Sequence, residues 1–183
     1  KEKFPNGFKP IISAGKNAGV EICLWFNPSK DNNYTNWRKD AGALINLYKE
    51  YGIRIFKIDG VDINNKESEI NIRKILDSVQ LATNNNVVFN LDVTAGKRYG
   101  YHYFNEYGNI FLENRYPDYG NYYAFWTLRN LWMLSRFIPP QKLQIEFLNN
   151  NRNQSNYSND PSSPGSVSFE YLFAITMMAQ PLA

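Results

Sequence analysis

The chain has 183 residues, of which 43% are hydrophobic and 16% aromatic, and this globular composition excludes a disordered or collagen-like protein. Its 20 Lys and Arg against 17 Asp and Glu leave a net charge of +3, too small to indicate a nucleic-acid partner. A single cysteine excludes an intrachain disulfide, a single histidine argues against a histidine-rich metal site, and no apolar stretch approaches the roughly 20 residues of a membrane helix.

Short apolar runs, typical of buried strands, alternate along the chain with longer amphipathic segments. The runs cover residues 20–26, 54–59, 87–93, 109–113 and 142–148. The spacing of apolar residues predicts helices over residues 37–51, 67–82 and 122–136, and Gly52 is the expected stop of the first helix. Residues 149–168 are rich in Asn, Ser and Pro and are predicted to form a long loop after the fifth run.

This alternation predicts an α/β protein with a parallel sheet, because strands that are apolar on both faces are covered by helices on both sides. A closed eight-stranded barrel typically needs ~250 residues. Five strands therefore fit either a small open sheet or part of a larger barrel. We expect the sequence both to begin and to end within a domain.

Acidic residues stand at the ends of these runs, where parallel α/β folds collect their chemistry. The second run ends with Lys57 and Asp59, whose side chains point to the same face because they are two residues apart. A nearby ammonium favours the ionised carboxylate that a nucleophile requires. A salt bridge at the strand end, or Asp59 as the N-cap of the next helix, explains the spacing equally well.

Other candidates follow the neighbouring runs. Asp92 ends the third run, and Asp118 follows the fourth in a Pro–Asp turn, where an ordinary turn residue is the alternative. Trp25 would either form the floor of a sugar site or pack in the core. Cys23 is expected to be a core thiol. Paired carboxylates, with no glycine-rich phosphate motif and no serine elbow in the sequence, indicate glycoside cleavage.

Three segments resemble the α-galactosidases of glycoside hydrolase family 36 and its clan. They are residues 4–10 (FPNGFKP), 18–26 (AGVEICLWF) and 56–60 (FKIDG). The last is similar to the K-x-D segment in which the Asp closes barrel strand four. The resemblance implies that Asp59 attacks the anomeric carbon, that Lys57 binds substrate hydroxyls, and that Trp25 lines the galactose pocket.

The resemblance also implies the remaining site residues. The clan's acid/base Asp follows barrel strand six, and Asp118 stands at the corresponding place, after the second strand that follows Asp59. Residues 94–98 (TAGKR) are similar to the substrate-contacting turn after strand five, which implies that Arg98 binds substrate. Asp92 joins the predicted substrate-binding set because of its position at the end of the third run, and not because of the resemblance.

The resulting prediction is an α/β protein of the (β/α)8 TIM-barrel type, with residues 1–183 as a single partial catalytic domain that covers about strands three to seven. It would be a retaining α-galactosidase acting on an oligosaccharide, with no metal, cofactor, nucleic-acid or membrane partner. Such a piece would be able to form a homo-oligomer through its open sheet edges.

Two other functions fit the sequence. The altered turn after the third run motivates a non-catalytic carbohydrate-binding barrel, and a clan member acting on another sugar, such as α-N-acetylgalactosamine, is the second alternative. The first residues do not resemble a signal peptide. The sequence does not decide the cellular compartment, and a bacterial periplasmic or extracellular location is slightly favoured.

Overall fold

The computed structural model describes residues 4–93, 104–112, 124–146 and 149–182, and it has an α/β fold. A six-stranded parallel sheet runs in chain order, with strands β1 (Cys23–Phe26), β2 (Ile55–Ile58), β3 (Val88–Asp92), β4 (Gly108–Leu112), β5 (Leu143–Glu146) and β6 (Gln180–Leu182). The helices are α1 (Lys9–Asn17), α2 (Trp37–Tyr51), α3 (Lys66–Ala82), α4 (Ala124–Leu134) and α5 (Phe169–Ala174). The chain divides into two compact units, residues 1–90 and 91–183.

The five predicted strands are all present, and α2 has the predicted bounds. The expectation of five strands was wrong, because β6 pairs in parallel with β5 near the end of the chain. This strand has three residues with Pro181 at its centre, and proline lacks the N–H that an interior strand donates. Its sequence therefore carries no strand pattern. The numbering of the strands within a barrel, and the single-domain organisation, stay predictions.

In the first unit, β1 and β2 form a parallel pair in which Leu24 lies opposite Phe56 and Phe26 opposite Ile58. Phe56 and Ile58 are buried, since alternate residues of β2 share one face. Helices α2 and α3 pack against each other. Each presents an apolar stripe, with Leu44 on α2 buried completely and the α3 residues Ile72, Ile75, Leu76 and Val79 nearly so.

The ends of the two helices are fixed by local chemistry. Gly52 follows α2 with a φ of 70°, and its N–H donates to the carbonyl of Tyr48, which is the predicted glycine stop. Helix α3 begins at an extended Asn65, whose side chain accepts a hydrogen bond from the N–H of Ser68 at 2.9 Å. The end of α2 and the start of α3 are therefore each fixed by a single residue.

The expectation that Cys23 is a core thiol was wrong, because this residue is exposed. Side chains alternate between the two faces of β1: Leu24 and Phe26 are half-buried, whereas Cys23 and Trp25 are exposed. A run of apolar residues indicates that a strand forms, but it does not show which face of the strand is covered by the rest of the protein.

In the second unit, β5 pairs in parallel with β4 on one side and with β6 on the other. A small core joins Ala124 of α4 to Leu172 and Ile175, at α5 and its end. The predicted loop over residues 149–168 contains two short 3₁₀ turns, and the side-chain amide of Asn150 donates to the carbonyls of Pro164 and Val167. Within the described part of the chain, no helix is both long and apolar enough to span a membrane.

Candidate active site

The candidate site is built on the paired ends of β1 and β2. Trp25 lies directly opposite Lys57 in the strand register. The pairing continues past the strands, because the N–H of Asp59 donates to the carbonyl of Phe26 at 3.0 Å. Asn27 and Asp59 each stand two residues beyond Trp25 and Lys57, so extended backbone places all four on one face at the carboxyl edge of the pair.

The register brings an aromatic ring over a buried cation. The Nζ atom of Lys57 lies 4.3 Å from the centre of the Trp25 ring, within the range of a cation–π interaction. Lys57 is only 8% exposed, whereas Trp25 is 67% exposed. The indole thus shields the ammonium and still offers a large apolar surface to solvent, as a sugar-stacking platform does.

A cavity of about 360 Å³ opens at this edge of the sheet. It is lined by Trp25, Phe26, Asn27, Asp59 and Gly60, and it lies within the first unit. Its volume is in the range of small-molecule sites. Asp59 is the one ionisable residue among these five, so its carboxylate is the candidate reactive group of the cavity lining.

The backbone after Asp59 turns sharply at a glycine. Gly60 has a φ of +67°, and its N–H donates to Oδ1 of Asp59 at 2.5 Å. A Cβ atom added to Gly60 would lie 2.6 Å from Nδ2 of Asn27. Glycine is required here both for the left-handed backbone and for the close approach of Asn27, and the pair fixes one wall of the cavity.

The loop after β1 braces the loop after β2 through Tyr34, which is only 2% exposed. The hydroxyl of Tyr34 accepts a hydrogen bond from the N–H of Asp62 at 2.8 Å and donates to the carbonyl of the same residue at 3.2 Å. An ion pair between Lys30 and Asp62 at 2.7 Å ties the same two loops together. These contacts hold the backbone three residues beyond Asp59.

We expect the substitution Tyr34→Phe to lower the free energy of unfolding by about 1–2 kcal/mol, since it removes both hydrogen bonds to the partly buried backbone of Asp62. Urea denaturation measures the loss, and amide exchange at Asp62 is expected to accelerate. Tyr171→Phe, at a 43% exposed position of α5, is the matched control. Unchanged exchange at Asp62 in Tyr34→Phe would contradict the brace.

The structure brings three of the predicted site residues together: Trp25, Lys57 and Asp59. The alternative that Asp59 caps the next helix was wrong, because Asn65 caps α3. Asp92 closes β3 in the second unit and is 4% exposed.

The predicted acid/base residue Asp118 and the predicted substrate contact Arg98 both lie outside the described residues.

Sequence reasoning did not single out the residues that shape this edge. Asn27 and Gly60 form one wall, and Tyr34 holds the following loop. The Asp–Gly pair directly after an apolar run was the available signal for the turn, since glycine permits a positive φ. Among the described residues no group of three or more His, Cys, Asp or Glu side chains is arranged to hold a metal ion.

Comparisons with known proteins bear on the fold. No family model matches the chain, and no curated protein matches it. Among solved structures, it is similar to an endo-beta-N-acetylglucosaminidase from Cordyceps militaris in apo form, with a TM-score of 0.53 and 11% sequence identity over 87% of this chain. The chain spans 57% of that protein's chain. At this identity the likeness shows a fold shared with a glycoside hydrolase.

Proposed function

We propose that this chain forms part of the catalytic barrel of a retaining glycoside hydrolase, with α-galactosides as substrates and Asp59 as the nucleophile. The observation that carries the proposal is the position of Asp59, which lines a cavity at the carboxyl end of β2 beside the exposed ring of Trp25. The parallel sheet and the likeness to a glycoside hydrolase fold support the barrel.

The proposed reaction has two steps. The carboxylate of Asp59 attacks the anomeric carbon and forms a glycosyl ester, while a second carboxylic acid protonates the departing oxygen. Water then attacks the ester, and the second group, now a carboxylate, takes its proton. The product keeps the configuration of the substrate because two inversions occur at one carbon.

Lys57 supplies a fixed positive charge on the same face as Asp59. Its burial beneath Trp25 holds the ammonium in place, so the charge is positioned before a substrate arrives. The choice of galactose, the role of Asp118 as the acid/base and the role of Arg98 in binding rest on the family resemblance of their segments. A retaining pair requires the carboxyl groups of Asp59 and Asp118 to lie ~5–5.5 Å apart, whereas ~6.5–9.5 Å would indicate inversion.

Covalent trapping tests the proposal. We expect a galactose-configured cyclophellitol epoxide, which esterifies the nucleophile of a retaining glycosidase, to add one equivalent to the complete polypeptide that the gene encodes. Peptide mass spectrometry is expected to place the adduct on Asp59, and Asp59→Asn is expected to remain unlabelled. An adduct on another carboxylate would overturn the assignment of the nucleophile.

The exposed ring of Trp25 also favours a second function, sugar binding without hydrolysis. Such a module would bind a galactoside measurably by calorimetry, would not react with the epoxide and would release no product. Trp25→Ala is expected to abolish that binding, because the stacking surface is lost. Reaction with the epoxide decides between the two functions.

A further inference from the structure

A second, larger cavity of about 600 Å³ lies at the opposite, amino-terminal edge of β1 and β2. It is formed by residues between 12 and 22, at the end of α1 and the approach to β1, and by residues 51–54, between α2 and β2. Its volume falls within the range of small-molecule sites. Asp59 and Trp25 do not line it, so it is separate from the candidate active site.

Two glycines keep this cavity open. Gly19 and Gly52 have φ values of +69° and +70°, and a Cβ atom added to either would meet nothing within 4 Å. Both follow helices whose ends require a left-handed residue, so glycine is present for backbone reasons. The consequence is two positions on the cavity wall with no side chain to fill the space.

The rest of the wall is largely aliphatic. Ile12, Val20, Ile22 and Ile53 all line the cavity, and Val20 is 57% exposed. Ile22 is held against α1, since a Cβ atom on Gly15 would lie 2.9 Å from its side chain. Ile22 is therefore fixed in place, and the wall offers apolar surface whose burial favours binding of an apolar ligand.

Among the described residues, one of the cations on the wall has no partner. Arg54 holds Glu21 with two hydrogen bonds of 2.8 and 3.0 Å, so these two charges satisfy each other. The side chain of Lys16 has no hydrogen-bond or ion-pair partner in the part of the chain that the structure describes. The carbonyls of Ala14, Gly15 and Lys16 accept hydrogen bonds from the N–H groups of residues 18–20, so they do not require its ammonium.

We propose that this cavity binds a small amphipathic carboxylate, whose apolar body contacts the isoleucine and valine side chains and whose anionic group meets Lys16. A short acyl or aryl-alkyl carboxylic acid has this chemistry. The site is independent of the proposed glycosidase function, because none of its residues belongs to the cavity that contains Asp59.

Titration of the full chain with 4-phenylbutyrate tests the site. Methyl-labelled protein is followed by NMR, and saturable shifts are expected at the methyl groups of Ile12, Val20, Ile22 and Ile53. We expect Lys16→Gln to weaken 4-phenylbutyrate about tenfold, equivalent to about 1.4 kcal/mol. The same variant is expected to leave the neutral analogue 4-phenylbutanol within about twofold, because only the charge contact is lost.

Two further variants complete the experiment. Lys9→Gln removes a lysine from the start of α1, outside the cavity, and is expected to bind both probes as the unaltered chain does. Val20→Trp fills the cavity from an exposed position and is expected to abolish binding of both probes. The proposal is overturned if no saturable shifts occur, if they occur away from these methyl groups, or if Lys16→Gln weakens both probes equally.

Discussion

Replacing Asp59 by alanine is expected to lower the turnover of an aryl α-galactoside by on the order of 10⁴–10⁶-fold, the range seen when a single residue of a covalent catalytic set is removed. The aryl leaving group needs little help from an acid, so the lost rate reports the loss of the attacking carboxylate. Because alanine leaves space beside the anomeric carbon, sodium azide is expected to restore part of the activity in the complete polypeptide.

The configuration of the azide product identifies the role of the missing group. Azide that replaces the nucleophile attacks the α-galactoside directly and gives a β-galactosyl azide. Azide that rescues a missing acid/base attacks the glycosyl ester instead and gives the α-azide. We therefore expect the β-azide from Asp59→Ala and, under the proposed roles, the α-azide from Asp118→Ala, and NMR of the product distinguishes the two.

Asp62→Ala is the matched control for this experiment. Asp62 lies three residues after Asp59, its carboxylate pairs with Lys30, and it does not line the cavity. Removing it is expected to leave turnover within about tenfold and to produce no azide product, since it contributes no group to the reaction. Unchanged turnover in Asp59→Ala, or an α-azide from it, would contradict the assignment of the nucleophile.

The sequence was informative wherever a local pattern decides the structure. Gly52 ends α2 as predicted, because a left-handed stop depends on that residue alone. Strands β1 to β5 were also predicted, because each one contains its own apolar run. The prediction that Lys57 and Asp59 share a face also depends only on a local relation, the period of two along an extended chain, and it stays a prediction because Asp59 follows the last residue of β2.

Features that depend on distant segments could not be predicted from the residues. The contact between Lys57 and Trp25 requires the register of two strands separated by α2. The exposure of Cys23 depends on which face of β1 is covered. The closeness of Gly60 to Asn27 depends on the courses of two loops. A one-residue shift in register would change each of these results without altering any local pattern.

The close approach at Gly60 leads to the largest expected effect on stability. Alanine at this position must adopt a φ of +67°, which costs about 1–2 kcal/mol, and its Cβ atom must displace the side chain of Asn27. We expect Gly60→Ala to lower the free energy of unfolding by about 2–4 kcal/mol. Urea denaturation of the chain measures the change.

Gly52→Ala separates the two causes. Gly52 has nearly the same φ, +70°, but a Cβ atom there meets nothing within 4 Å. This control therefore carries the backbone cost alone, about 1–2 kcal/mol. In a double-mutant cycle, Asn27→Ala is expected to recover about 1–2 kcal/mol of the loss in Gly60→Ala, because the displaced side chain is gone.

The cycle also connects stability to the site, since Asn27 and Gly60 form one wall of the cavity that contains Asp59. If Gly60→Ala costs no more than Gly52→Ala, or if Asn27→Ala does not recover any of the loss, the two residues do not contact as described. A coupling of the expected size would mean that glycine directly after Asp59, the proposed nucleophile, is required for space as well as for backbone conformation. The position of the Asp59 carboxylate and the shape of the cavity wall would then depend on one contact, between the loops that follow β1 and β2.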